Sequence, residues 1–214
     1  MIKPTILLTM SSSGGKWLAS TVARHTPGCR YYDKEYFNPW CNPAREVRLR
    51  RNFGCEQASC YRNIALPGDK QLNEDIDATW GVDGFNFTKE VFSAFKIETL
   101  RERFHIVGLV RRTGDVFPPR RSNVWNCYEH TWQAMRDAGY WVHEFTGRAR
   151  AVEAHVLIRN KIIEDGERYG FPVIHFDFLQ EAPANKLHDA LGGAFGYVTQ
   201  NMVEELMATR FREE

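Results

Sequence analysis

The segment "TILLTMSSSGGKWLAST", Thr5–Thr21, limits what this chain can fold into more than any other part of it. An apolar run, Ile6–Leu8, leads into serines and two glycines, and a helix-compatible stretch begins at Lys16. Glycines let a backbone turn tightly and approach a ligand, and the first amides of a helix attract anions. The segment therefore predicts a strand, an anion-binding loop and a helix, in that order. A serine-capped, Gly-rich turn without a ligand is the plainer alternative.

The residue after the lysine distinguishes this loop from those that bind magnesium nucleoside triphosphates. Such loops carry Ser or Thr at that position to hold the metal, whereas Trp17 stands here. The chain also shows no clear second acidic strand motif for a metal. The sequence therefore predicts that the loop binds a phosphate-like anion without a metal, through Ser12, Ser13, Gly14, Gly15, Lys16 and Trp17.

Short apolar runs alternate with helical stretches along most of the chain. Such alternation indicates βαβ units around a mostly parallel sheet, so we expect an α/β fold with helices on both faces. Ligands of such sheets bind beyond the carboxyl ends of the strands. The expected strands are Thr5–Thr9, His105–Val110, Trp141–Phe145 and Pro172–Phe176, and the expected helices are Lys16–His25, Ile97–Phe104, Asn123–Ala138, Ala149–Tyr169 and Ala184–Ala194.

One long stretch, residues 38–84, lacks this periodicity and is rich in Asn, Pro, Gly, Arg and Cys. Long irregular segments in compact domains are commonly functional. We expect a single domain over residues 1–214, with this stretch as an excursion on the substrate side.

Composition narrows the function classes. The 28 Lys and Arg residues nearly balance the 27 Asp and Glu residues, so no overall charge favours a nucleic acid or an anionic membrane as partner. The five cysteines form an odd set, and no Cys/His pattern completes a zinc site. Together with an N-terminus that lacks a signal-peptide pattern, they lead us to expect a cytoplasmic protein without a structural metal.

A second basic motif, "HIVGLVRRTGDVFPPRRSNVW", follows the strand His105–Val110. Arginine holds phosphate oxygens through two parallel hydrogen bonds, so the strand end predicts a second anion site. Because successive side chains of a strand face opposite ways, only one of Arg111 and Arg112 should face the ligand. The offset from Asp115 favours Arg111, although a solvated basic patch would account for the same residues.

These two motifs resemble the donor site of PAPS-dependent sulfotransferases, P-loop-type α/β enzymes that transfer a sulfuryl group without a metal. "SSSGGKWL" is similar to their 5′-phosphosulfate loop, although many members have a basic residue where Ser12 stands. The arginine motif is similar to their 3′-phosphate site, in which Arg111 and Ser122 would hold the phosphate. The spacing is closest to the trehalose-sulfotransferase-like bacterial branch. The resemblance implies a three-layer, P-loop-like fold and PAPS as the donor co-substrate.

A tyrosine-rich segment, "CRYYDKEYFNPW", carries the candidate catalytic base. A carboxylate beside aromatic rings can have a raised pKa and accept an acceptor's proton, which leaves Glu35 and Asp33 as candidates. The resemblance favours Glu35, because the bacterial branch has its proposed base in a similar segment, whereas another branch favours Asp33. The resemblance also implies that Lys89, in a short strand, stabilises developing charge together with Lys16.

The function that the resemblance implies is sulfuryl transfer from PAPS to a hydroxyl or amine of a small-molecule or carbohydrate acceptor. The sequence does not indicate which acceptor this is, and homo-oligomer formation stays open. A P-loop nucleotide or small-molecule kinase and a non-catalytic nucleotide-binding relative are the alternatives. A requirement for magnesium and ATP would favour the kinase.

Overall fold

The computed structural model describes residues 3–10, 13–33, 36, 73, 76–90, 94, 96–112, 114 and 148–210. Its centre is a five-stranded sheet in which every neighbouring pair of strands is parallel. The strands are β1 (Thr5–Leu8), β2 (Tyr31–Tyr32), β3 (Phe87–Glu90), β4 (His105–Val110) and β5 (Val173–His175), in the spatial order β2-β3-β1-β4-β5.

The helices follow the strands in alternation. A π-helical turn, Ile76–Trp80, leads directly into the short helix α2, and the longest described helix, α4, enters β5 through the turn at Gly170. The helices are α1 (Gly15–His25), α2 (Gly81–Asp83), α3 (Ile97–Arg103), α4 (Arg148–Tyr169), α5 (Phe176–Glu181), α6 (Ala184–Phe195) and α7 (Gln200–Ala208). None of the described helices combines the length and the apolar character needed to cross a membrane.

Strand alternation divides the buried side chains into two cores, one on each face of the sheet. Helices α1, α6 and α7 pack on one face, where the sheet contributes Leu7, Phe87, Val107 and Leu109. Helices α3 and α4 pack on the other face, where the sheet contributes Ile6, Leu8, Ile106 and Val110. The result is a sheet between two helical layers, with apolar residues on both faces of β1 and β4.

The α/β class and the parallel sheet that the sequence predicted are confirmed, and all five described strands are parallel. The predicted strands around Thr5, His105 and Pro172 are β1, β4 and β5, and the predicted helices at Lys16, Ile97, Ala149 and Ala184 are α1, α3, α4 and α6. Two further predicted elements, Asn123–Ala138 and Trp141–Phe145, lie outside the described residues.

Most of the stretch 38–84 also lies outside the described residues, but residues 76–83 near its end are helical rather than irregular. Ile76 and Trp80 from this part are buried in the core under α3 and α4. Trp80 packs edge-on against Tyr36 and Phe104, with ring centroids 4.7 and 5.4 Å away. The end of the stretch is therefore part of the hydrophobic core.

Candidate functional site

The carboxyl-end edge between β1 and β4 is the expected ligand position in this sheet. The two strands are neighbours, and the helix that follows β1 packs on the opposite face from α4, which precedes β5. Open parallel sheets bind ligands outside the carboxyl ends of strands whose connections leave toward opposite faces. Residues 13–16 after β1, and Arg111 and Arg112 after β4, follow the carboxyl ends of these two neighbouring strands.

The loop closes tightly before α1. The Ser13 amide donates to the Met10 carbonyl at 3.2 Å, and Gly14 has a left-handed backbone with φ of 75°. The first helical hydrogen bond runs from the Leu18 amide to the Gly14 carbonyl, at 3.0 Å. No side chain caps the helix, and the amides of Gly15 and Lys16 have no acceptor among the residues that the structure describes. This is the arrangement that binds anions at a helix N-terminus.

Two predicted loop residues differ sharply in environment. Ser13 is fully buried, and its hydroxyl has no hydrogen-bond partner within the described part of the chain. Lys16 is exposed to solvent at the first turn of α1. Ser12 lies outside the described residues, so its predicted contact stays a prediction. The loop thus combines a buried hydroxyl with an exposed positive charge.

Both loop glycines are sterically required. A Cβ on Gly14 would lie 2.4 Å from Cε2 of Phe176, and a Cβ on Gly15 would lie 2.6 Å from Cγ2 of Thr9. Contacts under 3.0 Å are essentially never observed for real Cβ atoms. The loop backbone therefore packs directly against side chains that follow β5 and β1.

Trp17 joins the loop to the C-terminal helix. Its indole Nε1 donates to the Thr209 hydroxyl at 2.8 Å, and its ring meets Phe176 edge-on with centroids 6.2 Å apart. Thr209 follows the last residue of α7, and its hydroxyl also donates to the Glu205 carbonyl. The indole that occupies the usual Ser/Thr position therefore has a structural contact, whereas the predicted role of Trp17 in anion binding stays a prediction.

The two arginines after β4 have different partners. Leu109 faces the α1 side of the sheet and Val110 the other side, so alternation places Arg111 on the α1 side. The Arg111 guanidinium carbon lies 4.4 Å from the centroid of the Phe176 ring. Arg112 is exposed, and its Nε donates to Oδ2 of Asp177 at 2.7 Å. Arg111 is thus the arginine that shares the Phe176 ring with the loop, whereas its predicted contact with a ligand stays a prediction.

The other half of the predicted second anion site cannot be placed. Ser122 and Asp115 both lie outside the described residues. Their predicted contributions stay predictions, and only Arg111 represents that site in the described structure.

Strand β3 brings a predicted and an unpredicted residue to the same edge. Lys89 is half-buried in register with Leu7 of β1, on the α1 side of the sheet. Glu90, the last residue of β3, is 1% exposed and pairs in register with Leu8. The Glu90 carbonyl accepts the amide of Thr9 at 2.8 Å, so this residue lies directly beside the start of the loop.

The Glu90 carboxylate is held by two short contacts. Oε1 accepts the Tyr36 amide at 2.6 Å and the Thr88 hydroxyl at 2.9 Å. Tyr36 is fully buried, and its own hydroxyl donates to Oδ2 of Asp83 at 2.6 Å. Glu90 was not singled out from the sequence, because "FTKE" has too few apolar residues to stand out as a strand. The only sequence feature that could have indicated Glu90 as a site residue is its acidic side chain at the end of β3.

The candidate bases are only partly defined. Glu35 lies outside the described residues, whereas Asp33 is exposed and directly follows the edge strand β2. Burial, and secondarily the negative charge of Asp33, raises the pKa of Tyr31 to about 12. Since β3 lies between β2 and β1, and strands are spaced about 4.8 Å apart, Asp33 follows a strand roughly 10 Å from β1. The choice between Asp33 and Glu35 therefore stays open.

Comparison with known proteins yields no relative for this chain: no family model, no curated protein and no solved structure matches it. Within the ranges that the structure describes, no group of three or more His, Cys, Asp or Glu side chains could hold a metal ion.

Proposed function

We propose that the protein is a sulfotransferase that uses PAPS as donor, with the loop after β1 and Arg111 as the donor site. The observation that carries this proposal is the contact of Gly14 and Arg111 with one ring, that of Phe176. This shared contact brings the N-terminus of helix α1 and a guanidinium group to the same aromatic side chain. A donor with two separate anionic groups, a 5′-phosphosulfate and a 3′-phosphate, suits such a pair.

The loop fits the 5′-phosphosulfate end of the donor. A buried hydroxyl without a hydrogen bond costs about 1–3 kcal/mol, and an anionic oxygen would satisfy the Ser13 hydroxyl. Glycine at position 14 allows the close backbone approach, and the amides of Gly15 and Lys16 provide donors. The exposed Lys16 side chain would add a positive charge at the same group.

Arg111 fits the second anionic group. It lies on the α1 side of the sheet, next to the loop, whereas Arg112 forms an ion pair with Asp177. Ser122 would complete this contact, as the resemblance to sulfotransferases implies. A guanidinium binds a phosphate monoester through two parallel hydrogen bonds, so it can discriminate a 3′-phosphate from a 3′-hydroxyl.

Bound PAPS would supply the sulfuryl group, and the chain would supply positioning, charge stabilisation and a base. Lys16 and Lys89 would stabilise negative charge at the phosphosulfate. The carboxylate of Glu35, or alternatively of Asp33, would accept the proton of the attacking hydroxyl or amine. Trp17 leaves no hydroxyl after the lysine for a magnesium ion, so the proposed reaction depends on these side chains.

A thermal-shift comparison tests the proposal, because a ligand that binds only the folded state raises the unfolding temperature. The wild-type protein is heated with PAP, PAPS, ATP or ADP, in EDTA and separately with magnesium. The proposal expects stabilisation by PAP and PAPS in EDTA and little by ATP. Stabilisation by ATP that requires magnesium, with none by PAP, would contradict it.

Glu90 favours a second candidate, a P-loop kinase. Magnesium in P-loop enzymes is held partly by an acidic residue on a strand, and Glu90 ends the strand beside β1. If the protein is a sulfotransferase, Glu90 has a structural role instead, in which its carboxylate holds the Tyr36 amide and the Thr88 hydroxyl. Glu90→Gln distinguishes the two, since a metal ligand would be lost while most hydrogen bonding is kept. Loss of a magnesium-dependent ATP stabilisation in this variant would support the kinase.

A further inference from the structure

Phe176 lies at the centre of the candidate site, where it contacts both the loop and Arg111. It is the first residue of α5, directly after β5, and its side chain is 3% exposed. Its ring contacts three parts of the candidate site: the loop at Gly14, the guanidinium of Arg111 and the ring of Trp17. A side chain this deeply buried has almost no surface left for a ligand.

We propose that Phe176 is a positioning residue that fixes the separation between the loop and Arg111, and thereby selects ligands with two anionic groups. This inference rests on the proposed function, because it takes the loop and Arg111 as parts of one donor site. A ligand that engages both groups depends on their separation. A ligand that engages only one group does not.

The aromatic character of the ring is essential to this role. A guanidinium within about 6 Å of a ring centroid is attracted by the negative face of the ring, and Arg111 lies at 4.4 Å. An aliphatic side chain of similar size would still fill the space beside Gly14 but would not orient the guanidinium. Arginine would then lose rotamer freedom when it binds the ligand, which weakens binding.

The test compares Phe176→Leu with the wild type, using isothermal titration calorimetry in EDTA with two probes. PAP carries both anionic groups, whereas AMP lacks the 3′-phosphate. The expected result is a PAP dissociation constant raised by about 5- to 30-fold and an AMP dissociation constant changed by less than about twofold. Equal weakening for both probes, or no weakening for PAP, would overturn the inference.

Phe195→Leu is the matched control. Phe195 belongs to the same hydrophobic cluster, but it packs against Phe87, with ring centroids 6.3 Å apart. The same loss of an aromatic ring at this position should leave the ratio of PAP to AMP affinity unchanged. A similar change of that ratio in both variants would mean that Phe176 acts only through general packing, which contradicts the inference.

Combination with Arg111→Ala separates positioning from a structural role. If Phe176 acts through Arg111, Phe176→Leu should have no further effect on PAP affinity once Arg111 is alanine. Additive losses in the double variant would contradict the inference, because they would show that the ring contributes independently of the guanidinium.

PAP binding to the wild type tests the proposed function, and NMR of Arg111 tests the positioning role of Phe176 separately. If PAP does not bind the wild type, the proposed function is wrong, and NMR then decides the inference without a nucleotide. The Arg111 side-chain protons of the wild type should show an upfield ring-current shift that Phe176→Leu abolishes. An unchanged shift in that variant would overturn the positioning role.

Discussion

The Nε of Arg112 donates a hydrogen bond to Oδ2 of Asp177 at 2.7 Å, and this pair distinguishes the two arginines that follow β4. Asp177 is the neighbour of Phe176, whose ring contacts Arg111. Two consecutive residues of α5 therefore contact two consecutive arginines, one through an ion pair and one through a ring face. Arg111 and Arg112 are adjacent and identical in type, but their different partners suit them to different roles.

The first prediction concerns these arginines. Arg111→Ala should weaken PAP binding by about 1.5–3 kcal/mol, since a charge-assisted contact is lost, while AMP binding should change little. Arg112→Ala should have a small effect on both ligands, because its exposed ion pair with Asp177 contributes at most about 1 kcal/mol. Calorimetric titration of both variants with PAP and with AMP measures these affinities. A PAP-specific loss in Arg112→Ala alone would move the role by one residue.

The second prediction concerns the backbone of the loop at Gly14, with Gly28, which lies between α1 and β2, as the reference position. Gly28→Ala should destabilise the fold by about 1–2 kcal/mol, because φ is +70° there and nothing lies within 4 Å of the new Cβ. Gly14→Ala has a similar φ of +75° but places Cβ 2.4 Å from Phe176, so overpacking should add about 1–3 kcal/mol. Urea denaturation of the two variants checks the difference. Equal losses would mean that the ring moves aside freely.

The third prediction concerns the contact between α1 and α7. Glu205 accepts hydrogen bonds from Thr21 and Arg24 through Oε1, and its Oε2 lies 2.8 Å from Nε2 of His25. Burial acts to raise the pKa of the Glu205 carboxyl, but the hydrogen bonds of His25 and Arg24 outweigh it and hold that pKa below its usual range.

A lowered folded-state pKa means that this network stabilises the protein fully above the unfolded-state pKa of Glu, about 4.3, and less as the pH falls through the lower folded-state value. Glu205→Gln should therefore reduce the free energy of unfolding by about 1 kcal/mol at pH 7, and by progressively less as the pH falls below about 4.3 through the lowered folded-state pKa. Glu204→Gln, an exposed neighbour, is the control. A loss that stays the same as the pH falls would refute the electrostatic account.

The fourth prediction concerns the base. Glu35→Gln should lower turnover by roughly 10²–10⁴-fold once an acceptor is known, because the amide cannot accept the proton. PAP affinity should hardly change, since the base faces the acceptor. Steady-state kinetics and PAP titration measure the two effects. Full activity in Glu35→Gln together with lost activity in Asp33→Asn would assign the role to Asp33.

Local patterns in the sequence were enough to predict the centre of the fold. β1 and β4 are apolar runs, so their burial on both faces could be predicted, and α1 begins one residue before the predicted Lys16. β2 and β3 were not predicted from apolar periodicity, because β2 has two residues and β3 contains Thr88, Lys89 and Glu90. Their place in the sheet comes from pairing with distant strands, which local patterns do not reveal.

In the candidate site, too, local patterns predicted some residues and missed those whose role depends on distant contacts. Strand alternation limited the ligand-facing residue to one of Arg111 and Arg112, and the offset from Asp115 favoured Arg111, because both arguments depend only on neighbouring residues. The contacts of Phe176 with Gly14 and Arg111 join residues far apart in the sequence, so no local pattern indicated them. The buried Glu90 was missed for the same reason, since its burial results from the packing of Tyr36 and β1 around it.

The most direct test of the account is calorimetric titration of PAPS into the wild type and Lys16→Ala in EDTA. Lys16 is the only charged side chain of the loop, so its loss should raise the dissociation constant by about 10- to 150-fold. Lys3→Ala, an exposed lysine at the opposite end of β1, is the matched control and should bind like the wild type. PAPS should bind the wild type without a metal, and Lys16→Ala should weaken this binding whereas Lys3→Ala should not. No binding of PAPS to the wild type, or equal affinity in all three proteins, would contradict it.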